Sequence, residues 1–100
     1  MITITGTVGA NGKYLVTGMP VQTTSNAVLK ITFENNTAGT NLELDAGNFA
    51  DPTPQIRLNG SGGPGYVFLT IIDASKLAGK DIYVHRAVGT LSSKFTINIE

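Results

Sequence analysis

An all-β, antiparallel two-sheet sandwich is the fold this sequence predicts, and three observations predict it. Apolar and polar residues alternate: in MITITGTV (1–8), Ile2 and Ile4 face one way and Thr3, Thr5 and Thr7 the other. NLELDA (41–46) and KFTINIE (94–100) repeat the pattern, and a side-chain period of two belongs to strands with one buried face. Glycine- and asparagine-rich turns recur about every ten residues, the spacing of short strands in a sandwich or barrel. Helix-forming chemistry is confined to a single short segment near 73–79.

Strands are expected over 2–8, 13–17, 27–34, 41–46, 55–58, 66–72, 81–88 and 94–99. Asn11-Gly12, within 9–12, tolerates positive φ and favours a tight hairpin. The stretch 35–39 closes the next long pair. Pro20 cannot donate to a ladder and marks an edge segment or a crossing between sheets. Two prolines and an aspartate make 47–54 (GNFADPTP) a loop. In 73–79 a capping Asp73, helix formers and a terminal Gly79 predict one or two helical turns, with Leu77 plugging the core. Alternation then assigns the core to Ile2, Ile4, Tyr14, Val16, Leu29, Ile31, Phe33, Leu42, Leu44, Ile56, Leu58, Val67, Leu69, Ile71, Ile82, Val84, Phe95, Ile97 and Ile99.

One hundred residues make a single domain, 1–100, with room for an autonomous core. There is no cysteine, so no disulfide supports the fold and no thiolate attacks a substrate or binds metal. Seven basic and seven acidic residues balance, with no basic stripe to neutralise phosphates, which argues against nucleic acid as a partner. No stretch has the length of a membrane helix, so no membrane role is expected. Read as a complete chain, the strand pattern immediately after Met1 predicts a leaderless protein made in the cytosol.

Motifs that suggest chemistry have simpler readings. GSGGPG (60–65) has the glycine spacing of a dinucleotide fingerprint, but YVFLTII (66–72) follows where that motif needs a helix, so it is read as a flexible loop. His85, the one histidine, shares a strand face with Tyr83 and Ala87 opposite Ile82 and Val84, which reads as solvent-facing or interfacial. The pairs Asp73/Asp81 and Asp45/Asp51 lack the dense carboxylate spacing of a calcium loop. Asn35-Asn36-Thr37 and Asn59-Gly60-Ser61 match glycosylation sequons by pattern alone. The TxTxT row is an ordinary wet strand face rather than an ice-binding ladder. No nucleophile–base pair, metal cluster or catalytic carboxylate pair can be assembled from the residues available, so the expectation is a protein that is not an enzyme, with no catalytic, cofactor-binding or metal-binding residues and no cofactor.

The segment 66–72 is apolar on both faces. With Val67, Leu69 and Ile71 given to the core, Tyr66, Phe68 and Ile72 point outward as interface candidates, joined by Phe49 in its proline-rich loop and by His85.

The strand count, and the 73–79 link leading into DIYVHRAV (81–88), resemble an immunoglobulin-like sandwich. That resemblance implies that Tyr83 hydrogen-bonds back to the preceding corner; without a disulfide or tryptophan it extends to architecture alone. A jelly roll is the alternative arrangement. A cysteine-free, leaderless chain rich in Thr, Asn and Gly resembles the small immunoglobulin-like sandwich proteins of tailed-phage virions, of the capsid decoration or tail accessory type. The resemblance implies a non-enzymatic bacteriophage structural protein, located in the virion and docking on a viral capsid or tail protein, with a homo-oligomer as a further partner arrangement. The competing expectation is a carbohydrate-binding or adhesion module that stacks a glycan on Tyr66 and Phe49.

Overall fold

The computed structural model describes residues 1–19, 28–51 and 53–100. The reading of Pro20 as an edge or crossing segment, and the Ala27 start of one strand, lie outside the described residues. Among the described residues eight strands follow in order: β1 (Ile2–Val8), β2 (Lys13–Leu15), β3 (Val28–Asn35), β4 (Asn41–Gly47), β5 (Pro54–Ser61), β6 (Val67–Asp73), β7 (Asp81–Val88) and β8 (Ser93–Ile99). They form two four-stranded antiparallel sheets, ordered β1-β8-β3-β6 and β2-β7-β4-β5. The sandwich is the one that the alternation predicts.

The strand order has a simple logic. β1 pairs with β8, β2 with β7, β3 with β6 and β4 with β5, each antiparallel. The chain is therefore one long ribbon doubled at the β4–β5 turn. Wrapping that ribbon into two layers adds the β3–β8 and β4–β7 pairs. This nesting is a jelly roll. An immunoglobulin order would keep the first two strands side by side, whereas here β1 and β2 lie in different sheets.

Two turns consequently do other work than the hairpins expected of them. The 9–12 turn forms, with Gly12 N–H donating to Gly9 O at 3.0 Å and φ +77° at Gly12, but it carries the chain across the sandwich. The 35–39 connection also crosses between sheets. A buried polar knot holds it: Asn35 Nδ2 donates to Thr40 O at 2.8 Å, and Ser93 Oγ donates to Thr40 Oγ1 at 3.1 Å. Local turn chemistry encodes reversal of direction, and tertiary packing chooses the sheet that receives the returning strand.

Several boundaries also move. β2 stops at Leu15, and β5 extends to Ser61, absorbing Gly60 and Ser61 from the expected loop. Pro54 opens β5, the position in a strand where a missing N–H costs least. The helical segment is a single 3-10 turn, Ala74–Leu77, capped by Asp73, whose carboxylate accepts from Ser75 N–H. Leu77 is fully buried, as expected of a core plug.

Between the sheets lie Leu29, Ile31, Phe33, Leu42, Leu44, Leu58, Ile82, Val84, Phe95, Ile97 and Ile99, joined by Val8, Val16, Met19, Ala46, Ala74 and Leu77. Ile4, Tyr14 and Ile56 pack partly buried against them, while Ile2 is 42% exposed at the start of edge strand β1.

The largest correction concerns β6. Val67, Leu69 and Ile71 are not core: they are 59%, 52% and 66% exposed. Phe33↔Phe68, Ile31↔Thr70 and Leu29↔Ile72 are the opposed pairs, and directly opposed residues share a face. Because Leu29, Ile31 and Phe33 point inward, so do Phe68, Thr70 and Ile72. Ile72 packs on the core, and Phe68 remains 42% exposed at the rim. The outward assignment of Phe68 and Ile72 is thus reversed. Both phases of YVFLTII are apolar, so periodicity carries no information about which one turns inward.

Candidate functional site

Two features stand out: a cluster of charged groups on the outer face of one sheet, and an aliphatic stripe on the outer face of the other.

The cluster begins with the alternation of β4. Leu42, Leu44 and Ala46 turn inward, so Glu43 and Asp45 turn outward. On β7, His85 lies opposite Glu43 and Tyr83 opposite Asp45. On β5 the register steps from Leu44↔Asn59 to Asp45↔Arg57, leaving Leu58 without an opposite number. Such a bulge re-aims side chains, and here it sets Arg57 beside both carboxylates.

His85 Nε2 lies 3.0 Å from Glu43 Oε2, and His85 Nδ1 lies 3.0 Å from Asp45 Oδ2. Arg57 Nε donates to Asp45 Oδ1 at 3.1 Å, and its Nη2 pairs with Glu43 Oε2. The Asp45 side chain is fully buried, and those of Glu43 and His85 are about one-fifth exposed. Burial pushes the Asp45 carboxyl above its ordinary range, against the opposing pull of Arg57, and the Asp45 hydrogen bond raises the Arg57 guanidinium in turn. His85 Nδ1, Asp45 Oδ2 and Glu43 Oε2 are buried atoms without a hydrogen-bond partner among the described residues.

Phe49 folds over this face rather than reaching outward. Its N–H donates to Asp81 Oδ2 at 3.1 Å, its ring meets Tyr83 edge-on at 6.3 Å, and Lys13 Nζ donates to its carbonyl at 3.2 Å. Tyr83 is therefore buried although it points away from the core. Among the described residues its hydroxyl has no hydrogen-bond partner, so none of them makes the corner bond implied by the immunoglobulin resemblance. Burial raises the Tyr83 phenol above its ordinary value.

Asp73 is committed to the cap and Asp81 to the Phe49 N–H. Asp45 meets Arg57 and His85, with the Glu43 carboxylate beside them. Sequence spacing missed this convergence because His85 is some forty residues from Glu43 and meets it only through strand pairing. The expectation that no metal-ligand cluster assembles is corrected by this geometry: Glu43, Asp45 and His85 each offer a ligand atom within 4.8 Å of the others.

On the opposite sheet, Val67, Leu69 and Ile71 line the outer face of β6, the last strand of its sheet. Tyr66, 64% exposed, immediately precedes β6 in the chain. Lys30, Thr32 and Glu34 of β3 sit opposite Ile71, Leu69 and Val67 and give the patch a polar margin. Tyr66 and Phe49 flank opposite ends of β5, so one small sugar does not stack on both. Neither a family model, a curated protein nor a solved structure matches this chain.

Proposed function

We propose that this chain is a non-enzymatic structural protein of a virion, a capsid decoration or tail accessory protein that docks on a viral protein lattice through the outer face of β6. The observation that carries this reading is the row Val67, Leu69 and Ile71, left more than half exposed on an edge strand beside Tyr66. Contiguous exposed aliphatics mark an interaction surface, since they gain nothing from water. A polar margin of Lys30, Thr32 and Glu34 matches the core-and-rim anatomy of interfaces. The jelly roll supports the reading by analogy, since viral capsid domains use it, although lectins do also.

The test is co-sedimentation of the purified protein with assembled capsids or tails of the phage that encodes it. Binding is expected, and Leu69→Glu is expected to abolish it while leaving the β-rich circular dichroism unchanged. Absence of binding, or a Leu69→Glu variant that binds like the parent, overturns the proposal.

A further inference from the structure

The geometry points to a second site, independent of β6: a binding site for a divalent transition-metal ion of the zinc class, ligated by Glu43, Asp45 and His85 on the outer face of the other sheet.

The donor set is the first argument. One imidazole and two carboxylates, each with a ligand atom within 4.8 Å of the others, suit zinc and its neighbours better than calcium, which takes oxygens alone. All three side chains stand on paired strands, so no loop has to organise before an ion enters. His85 Nε2 lies 3.0 Å from Glu43 Oε2 and Nδ1 lies 3.0 Å from Asp45 Oδ2, and among the described residues Nδ1 and both of those oxygens are buried without a hydrogen-bond partner.

Charge is the second argument. Glu43 and Asp45 bring two carboxylates and Arg57 one guanidinium, and the Asp45 side chain is fully buried. A divalent ion would balance the two carboxylates by itself. Arg57 occupies its place: the guanidinium holds Asp45 Oδ1 and Glu43 Oε2. Its side chain is half exposed and is free to swing into solvent, releasing both oxygens. The imidazole then gives one nitrogen to the ion and turns its other N–H toward a carboxylate oxygen that the ion leaves free, the usual second-shell arrangement of a ligating histidine.

Arg57 therefore acts as a competitor for the site, which makes the test specific. Zn²⁺ and Co²⁺ are titrated into the purified protein by calorimetry, with Co²⁺ also followed by visible absorption. Saturable binding of one ion and tetrahedral-type cobalt bands are expected. His85→Gln and Glu43→Gln should each weaken binding by more than about tenfold, the scale on which even outer-sphere partners act. Arg57→Gln should tighten it, an outcome that a purely structural ion-pair network does not produce. Circular dichroism of each variant identifies any that fails to fold. Absence of binding in both the parent and a folded Arg57→Gln variant overturns the inference, as does binding that survives His85→Gln.

Discussion

Thr70 Oγ1 donates to the carbonyl oxygen of Leu58 at 2.6 Å, joining the outermost strand of one sheet to the outermost strand of the other. Two further clips follow the same seam: Asn59 Nδ2 to Phe68 O at 3.3 Å, and Ser61 Oγ to Tyr66 O at 3.1 Å. They occupy edge carbonyls that would otherwise offer a template to another strand. They also satisfy the one polar residue on the inward face of β6. Thr70→Val, which keeps the shape and removes the donor, should cost about 0.5–1.5 kcal/mol of unfolding free energy, measured by urea denaturation. An unchanged midpoint would show that the clip contributes nothing.

Ile31 and Leu69 look equivalent in the alternation, yet Ile31 is fully buried and Leu69 half exposed. Ile31→Ala should destabilise by about 2–5 kcal/mol, whereas Leu69→Ala should stay within about 0.5 kcal/mol of the parent. Comparable losses in the two variants would place Leu69 back in the core and remove the stripe on β6.

Arg86 ties two chain reversals together. Its Nε donates to Gly89 O at 3.0 Å, and its Nη1 lies within hydrogen-bond distance of Val8 O, Gly9 O and Leu91 O. A lysine ammonium cannot reproduce that planar fork. Arg86→Lys should therefore lower stability by about 1.5–3 kcal/mol, the range for hydrogen bonds to a charged group, with the melting transition as the readout.

Gly89 has φ +99°, and a Cβ there would stand 2.9 Å from Gly39 O and 2.9 Å from Thr40 Cγ2. The first of these is backbone and cannot rotate aside. Gly89→Ala combines that collision with a left-handed backbone and should cost about 1–3 kcal/mol. Thermal unfolding that matches the parent would contradict this turn geometry.

Asp73 titrates below the ordinary carboxylate range because Ser75 N–H donates to it. With the folded value depressed, its contribution to stability is present above the unfolded value and is lost as pH falls through the folded one. Carboxyl-carbon NMR should place its midpoint below that of an aspartate in an unstructured peptide. A midpoint at or above the peptide's would mean that the cap is absent in solution.

A period of two residues is a local property of the chain, so it was enough to locate the eight extended segments, most of the core from Leu29 to Ile99, and the capped turn with Leu77 beneath it. Three things depended on neighbours remote in sequence. Nesting of β1 on β8 and β2 on β7 came from strand partners that alternation does not name, so the expected immunoglobulin order gave way to its alternative, the jelly roll. The phase of β6 came from opposition to Phe33, Ile31 and Leu29, because either face of YVFLTII is apolar enough to be buried. The meeting of Glu43, Asp45, Arg57 and His85 came from lateral register and the bulge at Leu58. Backbone hydrogen bonding sets that register across three strands, and no spacing along a single strand reveals it.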